Sequence, residues 1–143
     1  LLFNTTNVHF ICTIGEESVI QPEEKMIRTE GGLVTLSCNY ITSDPSPYLF
    51  WYIQRTNDIP RFILRRERYG SGENGTEFHE RFYSKLNFSA NSVPLTIQNL
   101  QVSDSAVYYC ALRPTVTPAH STLIQLHFIC PVSAEQEDYR TCV

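Results

Sequence analysis

Residues 104–110 of the chain read DSAVYYC. In an extended strand Ala106, Tyr108 and Cys110 fall on one face, and Val107 and Tyr109 on the other. A tyrosine turned inward needs a partner for its hydroxyl, and a turn just before the strand offers backbone acceptors. Asp104 stands where that turn belongs. Arg81, ahead of another strand, is expected to form an ion pair with it.

Upstream the same period of two continues. In GLVTLSCNY, residues 32–40, Val34, Leu36, Cys38 and Tyr40 alternate with Thr35, Ser37 and Asn39. In LFWYIQR, Leu49, Trp51 and Ile53 form one face and Phe50, Tyr52 and Gln54 the other. RFYSKLNFS and VPLTIQN flank Ala90-Asn91-Ser92 and predict a hairpin. Pro94 cannot donate to a ladder, so it starts a strand or faces outward. Only a turn near 101–105 has any helical character. Many short strands separated by Gly, Asn, Asp and Pro turns predict an all-β sandwich.

Cys38 and Cys110, both on inward faces, can bridge two such sheets. Trp51, in the strand after Cys38, is large enough to pack on that bridge and fill the centre of the sandwich. The composition agrees with a packed domain: 143 residues, 42 % hydrophobic, 18 % charged, with a net charge of −4. An acidic chain of this kind has no general affinity for nucleic acid. No apolar run approaches the roughly 18 residues of a membrane helix.

Together, Cys38, Trp51-Tyr52-Ile53-Gln54, Arg81-Phe82, Leu95-Thr96-Ile97 and Asp104–Cys110 resemble an immunoglobulin variable domain. The resemblance covers about residues 17–112. Ile63-Leu64-Arg65 and Cys110-Ala111-Leu112-Arg113 are most similar to a T-cell receptor alpha-chain variable segment, of fish type and unrearranged. It implies a V-type two-sheet Greek-key sandwich with one inter-sheet disulfide, Cys38–Cys110, and a core signature of Arg81, Trp51, Asp104 and Tyr108. It also implies that Tyr52, Gln54, Pro60 and Tyr109 form a flat face that pairs with a beta-chain variable domain. Rigid aromatic area and an uncharged amide suit such an interface.

Loops at one end of the sandwich then carry recognition of peptide on a presenting MHC molecule. They are Thr42–Tyr48, a second near Arg66–Gly72 and a third beginning at Ala111. Tyr48 and Tyr69 are the expected aromatic anchors; Arg66, Arg68 and Arg113 are expected to meet polar or acidic groups on the ligand. The bland alternative for RFILRRER is a charged edge strand protected from pairing. By the same resemblance the domain belongs to a larger receptor chain on the extracellular face of the plasma membrane, alongside signalling subunits. Asn4, Asn74 and Asn87 each open an N-x-Ser/Thr sequon, and Asn74 and Asn87 are the expected glycosylation sites of the mature domain. No cofactor and no metal is expected.

The ends depart from the pattern. Residues 1–15, LLFNTTNVHFICTIG, are expected to be a leader or non-mature segment and not a fold element, which would remove Cys12 and Asn4 from the mature domain. Residues 16–113 are the expected V-type domain. After Cys110 no Phe-Gly-x-Gly occurs, and 114–143 form an atypical tail with Cys130 and Cys142. Read-through of an unrearranged gene segment explains this, since a recombination signal beginning CACAGT reads His-Ser, found here as His120-Ser121. The competing reading is a genuine tail in which Ile124, Leu126 and Phe128 alternate as a replacement strand.

An enzyme has little support. His9, His79, His120 and His127 are scattered, no nucleophile has a partner motif, and His127, Cys130 and Cys142 make a poor metal set. The main rival is a non-rearranging cell-surface immune receptor built on the same framework. An adhesion domain is disfavoured by the outward Tyr52, Gln54 and Tyr109.

Overall fold

The computed structural model describes residues 10–14, 17–22, 25–113 and 130–132, the first and last of these as backbone strands. The strands are β1 (Phe10–Ile14), β2 (Glu17–Gln21), β3 (Val34–Leu36), β4 (Asn39–Ile41), β5 (Tyr48–Gln54), β6 (Arg61–Glu67), β7 (Glu73–Asn74), β8 (Phe82–Ser84), β9 (Leu95–Ile97), β10 (Val107–Arg113) and β11 (Cys130–Val132). All pairings are antiparallel. A five-stranded sheet runs β11-β10-β5-β6-β7, and two three-stranded sheets run β1-β2-β4 and β3-β9-β8. Consecutive β3 and β4 join the last two into one layer. The chain passes between layers after β4, β7 and β9.

The inward faces expected from the alternation are buried, although outward Phe50 and Ala111 are buried as well. Val34, Leu36, Cys38 and Tyr40 are buried, as are Leu49, Trp51 and Ile53, and Tyr108 and Cys110. Cys38 and Cys110 form a disulfide with Cα atoms 6.3 Å apart and a sequence separation of 72. Closing a loop of that length contributes about 4 kcal/mol in the chain-entropy description. Trp51 is fully buried, and its indole N–H donates to the Val93 carbonyl at 2.9 Å. That bond ties β5 to the opposite layer just ahead of β9. Pro94 lies immediately before β9. The predicted hairpin forms between β8 and β9, with Asn91 at φ 50° and paired bonds between Asn87 and Ser92.

Two features were not foreseen. Phe10–Ile14 pairs with β2, Cys12 lying opposite Val19; its aromatic and β-branched residues suit an extended strand. Within the segment expected to hold no fold element, Phe10–Ile14 is thus a strand. In β6 the register with β5 slips between Trp51 and Tyr52. The bulge turns both Ile63 and Leu64 inward, each fully buried, and leaves Phe62 on the outer face. At the other end β11 places Cys130 opposite Cys110. Cys142, Asn4, His9, His120-Ser121, His127 and the 122–128 alternation lie outside the described residues.

The turn before β10 is a 3-10 helix, Val102–Asp104. The Tyr108 hydroxyl donates to the Asp104 carbonyl at 2.7 Å. The Asp104 carboxylate accepts two bonds from Arg81, at 2.6 and 2.9 Å, and one from the Gln101 N–H at 2.8 Å. Burial of Asp104 opposes its ionisation, but the Arg81 and Gln101 bonds outweigh it and hold the carboxyl below its ordinary 3.8. Burial, with the Asp104 charge beside it, pushes the Tyr108 hydroxyl well above the usual phenol range. Tyr40 contrasts with it: its ring is buried and its hydroxyl has no hydrogen-bond partner among the described residues.

The two tyrosines should answer differently to loss of the hydroxyl. Tyr108→Phe strands the Asp104 carbonyl and should cost about 1–3 kcal/mol in urea unfolding, whereas Tyr40→Phe should be neutral or stabilising. The depressed Asp104 pKa fixes the sign of the acid response. The folded state binds fewer protons than the unfolded state in that window. Stability is thus present above the unfolded-state value, near 3.8, and drains as pH falls through the lower folded-state value. Asp104→Asn should be less stable at neutral pH and should lose this part of the acid dependence, measured as urea midpoints across pH 2–6.

Candidate binding surfaces

On the outer face of the five-stranded sheet, pairing of β10 with β5 sets Tyr109 directly opposite Tyr52. One register step away, the Tyr109 hydroxyl donates to Gln54 Oε1 at 2.6 Å, and Gln54 Nε2 donates to the Asp58 carbonyl at 3.0 Å. The amide is thus oriented by the domain itself. These two bonds leave it one N–H and one lone pair for a partner. Phe50 stacks on Tyr52 with centroids 6.3 Å apart, and Phe62 meets both rings edge-on at 6.5 and 6.1 Å. Pro60 is exposed just before β6, next to Ile59 at 71 % exposure. The structure therefore brings Tyr52, Gln54 and Tyr109 to one face, and leaves Pro60 exposed just before β6. Sequence reasoning missed Phe62, because the bulge reverses its parity.

At one end of this sheet, short-range bonds shape the 42–48 loop. The Asp44 N–H donates to Thr42 Oγ1 at 2.9 Å and the Ser46 N–H to Asp44 Oδ1 at 2.7 Å. Glu17 accepts from both the N–H and the hydroxyl of Ser43. Tyr48 opens β5, with the guanidinium of Arg113 5.3 Å and that of Arg65 5.7 Å from its ring centroid. Arg113 and Tyr48 are register partners on neighbouring strands, so the base of the third loop is joined to the end of the first.

Arg68 joins three segments. Its Nη1 donates to the Pro45 carbonyl at 3.2 Å, and its guanidinium lies 3.7 Å from the Phe88 centroid and 5.0 Å from that of Tyr69. Tyr69 is 72 % exposed. Arg66 turns the other way. It donates to the carbonyls of Ser84, Arg65 and Glu73 and to Asn74 Oδ1 at 2.7–3.1 Å. Burial also pushes its pKa down. The assignment of Arg66 to ligand contact gives way to a tether holding β6, β7 and β8 together.

Gln21 is a second residue the sequence did not reveal. It is fully buried, accepts from the Cys110 N–H at 3.0 Å and donates to the Tyr108 carbonyl at 3.4 Å. Its side chain ties β2 to the β10 backbone on both sides of Tyr109. The only signal was an amide two positions after Val19, on the same face of β2. Elsewhere, an open groove of about 410 Å³ beside the 3-10 turn is lined by Met26, Ile27, Leu100 and Val102. Its titratable lining includes Asp104 and Tyr108, already bonded in the corner. Among the described residues no group of His, Cys, Asp and Glu could hold a metal, and no helix is long and apolar enough to cross a membrane.

The Arg68 contacts should be visible in loop dynamics. A cation over an aromatic ring at an exposed site contributes about 0.5–1 kcal/mol. Arg68→Ala should therefore speed amide hydrogen exchange several-fold in 42–48 and 86–92, leaving β5 and β10 unchanged.

The comparisons agree with this geometry. Residues 21–128 match the immunoglobulin V-set domain. The chain is 43 % identical over 96 residues to the T-cell receptor alpha chain V region RL-5 of Oryctolagus cuniculus, covering 67 % of this chain and 68 % of that protein. It is 40 % identical over 96 residues to V region CTL-F3 of Mus musculus, covering 67 % and 69 %. Identity to human T cell receptor alpha variable 3 is 39 % over 97 residues, covering 68 % and 82 %. The chain belongs to the immunoglobulin V-set family, as a non-enzymatic receptor domain homologous to T-cell receptor alpha variable regions.

Proposed function

We propose that this V-type module recognises peptide held by an MHC molecule, as the alpha-chain half of a heterodimer with a beta-chain variable domain. The observation carrying the reading is the outward face of β5, β6 and β10. There Tyr52, Phe62 and Tyr109 present aromatic area around an amide already oriented by Tyr109 and Asp58. Interfaces favour such rigid rings and few charges at their centre. Beside it, the 42–48 loop, Tyr69 and Arg113 stand at one end of the sheet. Arg68, Arg65 and Tyr48 link the segments.

Tyr48, Tyr69, Arg68 and Arg113 are the proposed ligand-side residues. Tyr52, Gln54, Pro60 and Tyr109 are the proposed partner-side residues. The proposed unit is 16–113, since the described core runs from Val19 to Leu112. In the same proposal 1–15 precede the mature domain and 114–143 belong to an unrearranged segment. The receptor stands at the plasma membrane with its signalling subunits. A second reading, a non-rearranging receptor, is favoured by one observation, the lack of Phe-Gly-x-Gly after Cys110.

Tyr109→Asp puts a charge at the centre of the proposed interface and removes the bond to Gln54. Association with a co-expressed beta-chain variable domain should weaken more than tenfold while the Cys38–Cys110 bridge still forms. Unchanged association, measured by sedimentation, would overturn the pairing. Transcripts decide between the two readings. Diverse joints after Leu112 ending in Phe-Gly-x-Gly support the recombining receptor, and one invariant transcript retaining Ser121–Val143 supports the other.

A further inference from the structure

Two N-x-Ser/Thr sequons lie among the described residues, and the fold treats them in opposite ways. Asn74 ends β7, opposite Leu64 of β6. Its Nδ2 donates to the carbonyls of Phe78 at 2.8 Å and Phe82 at 3.4 Å, which uses both amide hydrogens. Its Oδ1 accepts from Arg66 Nη2 at 2.7 Å. The next residue is docked just as closely. The Gly75 N–H donates to the Ile63 carbonyl at 2.7 Å, and a Cβ there would stand 2.7 Å from the Phe62 carbonyl oxygen. Phe78 and Phe82, whose carbonyls Asn74 holds, are buried and meet edge-on at 4.9 Å. The Asn74 amide is therefore a fastener between the sheet edge and the core.

Asn87 is exposed, in the turn between β8 and β9. Its Oδ1 accepts from the Ser89 hydroxyl at 2.9 Å and the Ala90 N–H at 3.1 Å, and its backbone bonds to Ser92. These bonds fix the side chain by its oxygen. Its Nδ2 donates to nothing among the described residues.

We propose that the folded chain carries an N-linked glycan on Asn87 and none on Asn74. The transfer replaces one Nδ2–H bond with an Nδ2–C1 bond to the first sugar. The donor is a lipid-linked oligosaccharide diphosphate, which leaves as the lipid diphosphate while the amide proton is released. At Asn74 that exchange removes a hydrogen already donated to a core carbonyl and sets a sugar between the turn and Phe78. At Asn87 it removes a hydrogen that holds nothing. The glycan then rises beside Phe88, whose ring lies under Arg68, at the end of the sandwich that carries the loops.

The test is glycopeptide mapping of the full chain secreted from eukaryotic cells, with glycans released enzymatically in heavy-oxygen water so that each occupied Asn becomes a labelled Asp. If secretion fails, translation into microsomes gives the same peptides. Asn87 labelled and Asn74 unlabelled is the expected result; label on Asn74 in the folded fraction, or an unlabelled Asn87, overturns the proposal. Paired variants separate attachment from folding. Asn87→Gln should lose one glycan step in gel mobility with a smaller drop in Tm than Asn74→Gln, since it gives up only exposed turn bonds. Asn74→Gln should keep that step and lower Tm by roughly several degrees. Loss of a glycan step in Asn74→Gln would equally overturn it.

Discussion

The Cys38–Cys110 bridge decides which face of β10 looks inward, and the rest of the domain is arranged around that choice. With Cys110 inside, Tyr108 is inside as well, two positions away, and Tyr109 must be outside. The inward tyrosine closes onto the Asp104 turn. The outward one closes onto Gln54 of the neighbouring strand. A slip of one residue would exchange the two and bury a phenol with no acceptor, so the bridge and the corner specify the same register independently.

Asp104 is the polar counterpart of the bridge. Its side chain gathers Arg81 from beside β8 and the N–H of Gln101, while its carbonyl receives Tyr108 from β10. Arg81 also donates to the Asn99 carbonyl, so the loop leading into the 3-10 turn is held from both sides. A buried carboxylate is costly alone, and here each of its main acceptor directions is used. At the opposite end Arg66, near the end of β6, and Arg68, just beyond it, do unlike work. One is drawn down among carbonyls of β6, β7 and β8. The other lies over Phe88 and reaches the first loop.

Much of this was legible in the sequence because its causes are local. Period-two alternation put Trp51, Tyr108 and both bridging cysteines inside, and turn chemistry put Asp104 beside Arg81. What escaped depends on tertiary context. The β6 bulge changes the parity of Phe62, and nothing in FILR marks the extra residue. Gln21 is polar at an apolar position, and its need is defined only once Tyr108 and Cys110 of β10 lie across from it. Arg66 and Arg68 look alike in sequence, and only the path of the strand after the bulge gives one to the interior and the other to the loops. The two sequons likewise became unequal only when their amide nitrogens acquired, or lacked, carbonyls to hold.

Arg68 reaches the first loop through the carbonyl of Pro45, and Arg66 spends three of its four bonds on carbonyls too. Every amino acid brings the same carbonyl. The 42–48 loop can therefore be rewritten residue by residue while its mooring to the framework persists. In such a design the cost of novelty is confined to the side chains that face outward.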